Sequence, residues 1–149
     1  MLGSLFSVLA PHACLACNRE GSVLCVVCSE RLLVPLEPRC VGCGMQNPFS
    51  KTCNACKTRV IAKRVWVATN YDDVAKHVIH ELKFNYVRAV ALDIARTIAL
   101  RLPDLPAHMI VVPIPTAVSR VRQRGFDHAK LIAKEVARLK GLTYRDILR

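Results

Sequence analysis

Beyond Cys56 the chain contains no cysteine, so the later two thirds can form neither a disulfide nor a thiolate metal site. Acidic residues are also scarce, with 11 Asp and Glu against 22 Lys and Arg over 149 residues. No apolar run approaches the roughly 20 residues that a membrane-crossing helix requires. The first thirteen residues hold only a short apolar run, Leu5 to Ala10, with no Lys or Arg before it and no small-residue cleavage pattern. They read as a short amphipathic helix over 1–11 rather than a secretory signal. Without an export signal, an oxidising compartment is not indicated. No low-complexity segment is present, and no repeat extends beyond the cysteine pairs.

What is there is concentrated at the amino end. All eight cysteines fall into four Cys-x-x-Cys pairs: Cys14/Cys17, Cys25/Cys28, Cys40/Cys43 and Cys53/Cys56. A thiolate pair separated by two residues presents both sulfurs to one tetrahedral ion from a tight turn, so four pairs supply two closed zinc sites. Disulfides would need the export signal that is lacking. Four tandem redox pairs, none at a strand-to-helix turn, would be an unusual arrangement. The short gaps favour sequential pairing, with Cys14, Cys17, Cys25 and Cys28 on one ion and Cys40, Cys43, Cys53 and Cys56 on the other. An interleaved pairing satisfies the same count. His12, close to Cys14, reads as a packing or solvated histidine. Residues 12–58 carry little periodic apolar pattern and depend on metal for stability, since structural zinc contributes on the order of 10–16 kcal/mol in small fingers.

The formal charge of +11 falls to about +7 once eight thiolates and two zinc ions are counted. The excess favours anionic partners, nucleic acid or polyphosphate.

Residues 59–149 read as an α/β body. Arg64 to Tyr71 (RVWVATNY) is expected to be a strand, and Asp72-Asp73 to open a helix whose stripe is Ala75, Val78, Ile79 and Leu82. A second helix is expected from about Val87 to Leu102, with Ala91, Ile94, Ala95, Ile98 and Leu102 inward. His108 to Ile114 (HMIVVPI) is apolar on both faces and reads as a buried parallel strand. A loop from Pro115 to Gly125 then carries Arg120, Arg122 and Arg124. A final helix, from about Phe126 to Lys140, is stopped by Gly141.

A strand, an arginine-bearing loop and a helix in that order form an anion cradle: free backbone N–H groups, the positive end of a helix dipole and forked guanidinium donors converge. Arg120, Arg122, Arg124, Gly125 and Phe126 are the candidate phosphate-binding residues. His77-x-x-His80 with Glu81 lacks a third metal ligand at a fixed relation. Lys83 could face an anion site, but reads first as a solvated helix-end lysine that complements the dipole. Trp66, Tyr71, Phe84 and Tyr86 suit core packing as well as base stacking.

The Val112-Pro113-Ile114-Pro115 strand end, the Arg120-x-Arg122-x-Arg124-Gly125-Phe126 run and the Ala-rich helix after it resemble the ComF family of phosphoribosyltransferase-like proteins. The four tandem cysteine pairs are similar to that family's double zinc ribbon, and Tyr71-Asp72 through Leu82-Lys83-Phe84 to its next segment. The resemblance covers residues 1 to about 140. It implies an α/β fold in which an N-terminal double zinc ribbon precedes the front part of a type I phosphoribosyltransferase-like parallel-sheet domain over 59–149. It also implies a cytoplasmic location and, in competent bacteria, a role in DNA uptake or processing of incoming single strands.

Two departures qualify what the resemblance implies. Asp127-His128 stands where the family commonly has Asn-Gln, and no acidic pair is followed by the Thr/Gly-rich loop that holds phosphoribosyl pyrophosphate. The one adjacent acidic pair, Asp72-Asp73, leads into a helix instead. The expectation is therefore a protein that binds phosphate or single-stranded DNA and is not catalytic alone. Magnesium with phosphoribosyl pyrophosphate enters only if a complete domain is assembled. A sheet left short of neighbours is expected to attract a protein partner. The competing readings are an enzyme represented by an incomplete chain and a zinc-based protein-interaction module.

Overall fold

The protein is described by a computed structural model over residues 13–31 and 36–149; the expected helix over 1–11 and His12 lie outside them. The chain runs through helix α1 (Val26–Arg31), a 3-10 turn (Asn54–Cys56), helices α2 (Asp73–Phe84) and α3 (Val90–Arg101), strand β1 (Ile110–Val111), helices α4 (Val118–Arg124) and α5 (His128–Lys140), and strand β2 (Thr143–Tyr144). The two strands pair in parallel, Ile110 opposite Thr143 and Val111 opposite Tyr144. Helices and a small parallel sheet are thus combined, as expected of an α/β chain.

Local chemistry sets the helix limits. Asp72 accepts a hydrogen bond from the Ala75 N–H at 2.9 Å, which satisfies one of the free donors at the start of α2. Ala75, Val78 and Leu82 then form its buried stripe. Helix α3 begins at Val90, three residues later than the apolar pattern suggests, because Asn85 to Ala89 are spent on the turn out of α2. Asp127 caps α5, accepting from the N–H groups of Ala129 and Lys130 at 3.0 and 3.2 Å. Gly141 ends α5 in a left-handed conformation, and the Leu142 N–H returns to the Ala137 carbonyl at 2.8 Å. Helices α3 and α5 pack along each other and α5 covers the sheet.

The central apolar cluster crosses the expected division of the chain. Cys14, Val23, Leu24, Cys25 and Cys28 bury their side chains in one cluster with Ala75, Val78, Leu82, Val90, Ala91 and Phe126. The first cysteine quartet is therefore built into the same core as α2 and α3.

Three expectations are corrected. Arg64 to Tyr71 forms no strand: Arg64 makes an isolated antiparallel bridge with Lys51, the Val65 N–H reaches the Ser50 carbonyl at 3.1 Å, and the ladder stops. β-Branched residues favour a pleated surface, but a strand needs a neighbour to pair with. The strand over His108 to Ile114 is parallel but shrinks to two residues, and it is not buried: Ile110 is 50% and Ile114 81% exposed. Among the described residues one neighbouring strand and one covering helix leave its other side open. The arginine run is a helix, α4, and not a loop. Arg and Gln favour helix, and Gly125 with φ of 71° supplies the left-handed residue that closes it.

Candidate functional site

Each cysteine quartet folds as the sequential pairing requires. The sulfurs of Cys14, Cys17, Cys25 and Cys28 lie within 4.8 Å of one another, as do those of Cys40, Cys43, Cys53 and Cys56. The interleaved pairing is not the one observed. Zinc–sulfur bonds of about 2.3 Å in a tetrahedron place sulfurs roughly 3.8 Å apart. The Sγ atoms of Cys17 and Cys25 are 3.7 Å apart, and those of Cys43 and Cys53 3.8 Å. Among the described residues these are the groups of three or more potential ligands that can hold a metal ion; His77, His80 and Glu81 form no such group.

Backbone donors prepare both quartets. The Cys25 N–H points to Cys14 Sγ at 3.4 Å, and the Cys53 N–H to Cys40 Sγ at 3.3 Å. Burial opposes ionisation of Cys14, yet the N–H groups of Cys25, Ala16 and Cys17 outweigh it and bring that thiol down to about 6. The N–H groups of Cys53 and Cys43 likewise lower Cys40 to about 6. The last thiols behave oppositely. Burial and then the neighbouring sulfurs push Cys28 up to about 12, and Cys53 followed by burial does the same to Cys56. One thiolate forms readily in each group, and a second beside it needs a cation. A zinc ion supplies that charge, so the donor set fits two structural ions. At the second site the backbone approaches closely: a Cβ on Gly42 would meet Cys56 Cβ and Sγ at 2.8 Å.

The arginines divide on α4. Successive helical residues turn by about 100°, so Arg122 lies about 200° from Arg120 while Arg120 and Arg124 share a face. Arg120 and Arg122 are exposed, and among the described residues neither pairs with a carboxylate. Arg124 is 7% exposed, and its buried Nε has no hydrogen-bond partner. Its Nη1 lies 3.3 Å from His128 Nδ1, and its guanidinium lies over the Phe84 ring at 5.6 Å. Burial, then the charges of Arg124 and Lys83, push the His128 pKa down, so a neutral imidazole accepts from Arg124. The free N–H groups expected at the start of the last helix are already taken by the Asp127 carboxylate, which also accepts from Thr116 Oγ1 at 3.0 Å. Phe126 is buried, 8% exposed. Anion recognition thus falls to side chains rather than to the α5 dipole.

Arg88 joins this region without any signal in the spacing. Its Nη2 donates to the Gly125 carbonyl at 2.8 Å and its guanidinium lies 4.6 Å from the Phe126 ring centroid. A contact across 37 positions in sequence leaves no local pattern to read. Asp72 and Asp73, the only adjacent acids, are used at the start of α2, Asp72 as its cap and Asp73 beside Lys76 at 3.5 Å.

No family profile matches the chain, and no solved structure matches it significantly. Among curated proteins it is similar to competence protein ComFC of Bacillus subtilis (strain 168), 26% identical over 122 residues, covering 74% of this chain and 50% of ComFC. The chain thus spans about half the length of that relative. The resemblance to the ComF family read from the arginine run and the cysteine pairs is matched by a curated relative of that kind, and the two cysteine quartets fit a double zinc ribbon.

Proposed function

We propose that the chain is a ComF-like, competence-associated, cytoplasmic protein that binds phosphate-bearing ligands, single-stranded DNA foremost, and does not act as a transferase alone. In this reading residues 12–58 are a double zinc ribbon and 59–149 the front part of a phosphoribosyltransferase-like domain. The observation that carries it is α4: Arg120 and Arg122 stand exposed and without acidic partners in a chain of net charge +11. Guanidinium groups left unpaired at a surface are forked donors for phosphate oxygens. In this reading zinc acts as a staple, and the α4 arginines, with Gly125 and Phe126 turning the chain into α5, make the anion contact. The exposed Ile110 and Ile114 favour a second role for a protein partner at the open side of β1.

Fluorescence anisotropy of a labelled single strand, alongside a turnover assay with phosphoribosyl pyrophosphate and magnesium, tests the proposal. A dissociation constant in the range of about 1–100 μM at physiological salt and no pyrophosphate release are expected. Absence of strand binding, or pyrophosphate release by the isolated chain, would overturn it.

A further inference from the structure

At the end of α2 the chain exposes two aromatic side chains two positions apart, Phe84 at 55% and Tyr86 at 45%. Both are set among cations. The Arg124 guanidinium lies over the Phe84 ring, and the His80 ring is 4.8 Å from it, centroid to centroid. Tyr86 meets Phe126 edge to face at 6.5 Å, and Phe126 in turn carries the Arg88 guanidinium. Arg124, Gly125 and Phe126 are consecutive, so the two clusters form one strip. Lys83, half-buried and directly before Phe84 in the chain, borders it.

The backbone adds an independent observation. Tyr86 has φ of 60°, in the left-handed region. A bulky side chain is strained there, and such strain persists where the surroundings hold it for a reason. Core packing gives little return for that strain, since nearly half of the residue remains in water. Single exposed apolar residues need no explanation. Two aromatics, one held in a strained backbone and the other lying against a guanidinium, do.

We infer that Phe84 and Tyr86 form a stacking platform for the bases of single-stranded nucleic acid, with Arg88 and Lys83 facing its phosphates and the buried Arg124 supporting the Phe84 ring from beneath. The inference rests on the reading of the chain as a binder of single strands and names the surface that would receive the bases. Stacking on an aromatic side chain tolerates any base, while the flanking cations follow the backbone. An apolar protein partner is a poorer fit, because docking would desolvate the surrounding charges without pairing them.

The test compares an oligothymidine with an abasic strand of the same length, using the zinc-loaded chain, Tyr86→Gly and Phe84→Ala. The parent chain should prefer the base-bearing strand by about 5- to 150-fold per stacked base. Tyr86→Gly should lose much of that preference while melting no lower than the parent, since glycine relieves the left-handed backbone. Phe84→Ala should weaken the preference as well. Salt-sensitive binding that is equal for both strands would overturn the platform and leave the α4 reading standing. A base preference retained by both variants would also overturn the platform. Binding to neither strand would overturn both.

Discussion

Removing the first zinc site should unfold much more than a ribbon. Cys28 is 2% exposed and shares its cluster with Leu82, Val78 and Val90 of α2 and α3, whereas no member of the second quartet belongs to that cluster. Cys28→Ala removes one of four ligands from the first ion. Val23 and Leu24, 8% and 6% exposed between Cys17 and Cys25, are held inward by that site. Burying such a side chain is worth about 1.5–3 kcal/mol, so the pair accounts for about 3–6 kcal/mol that depends on the site staying closed. At about 2–4 °C per kcal/mol for a domain of this size, the melting midpoint of the helices should fall by at least about 6 °C. Cys56→Ala should lose one equivalent of zinc equally well but change the helical melt by less than about 1 kcal/mol. Circular dichroism melts with metal analysis of both variants decide this. Equal melting of the two at matched metal loss would refute the shared core.

Other consequences follow from the same contacts. Gly42→Ala pushes a methyl group into Cys56 Cβ and Sγ, 2.8 Å away, and should weaken the second zinc site by about 10-fold or more. Competition with a chromogenic chelator should show one ion leaving early and the other unchanged; unaltered release of both would contradict the geometry. His128 has a folded pKa below its ordinary 6.5 through burial, Arg124 and Lys83, so the unfolded chain binds the proton more readily. Its contribution is present above 6.5 and is lost as pH falls through the folded value. Denaturant unfolding of zinc-loaded protein between about pH 7.5 and pH 5.5 should show a steeper loss in the parent than in His128→Gln. Parallel curves would exclude the effect.

Much of this was legible from residue types and spacing. The cysteine pairs gave both quartets, because two-residue spacing confines where the sulfurs can go. The apolar stripe of α2 and the stop of α5 at Gly141 followed from helical periodicity and caps. The strand at Arg64 to Tyr71 failed because its β-branched residues meet no partner strand, and pairing is a long-range property. The helical state of Val118 to Arg124 was readable in Gly125 as a closing residue, but the three arginines drew attention to a loop instead. Burial of Arg124 and the reach of Arg88 to Gly125 depend on packing between distant segments, which spacing does not record.

The most direct test is the salt dependence of single-strand binding by the zinc-loaded chain and by the Arg120→Ala, Arg122→Ala double variant. Each phosphate contact contributes about 0.7 to the slope of log affinity against log salt. The account predicts a steep slope for the parent and one shallower by about 1.4 for the variant. Identical slopes would contradict α4 as the phosphate-binding element.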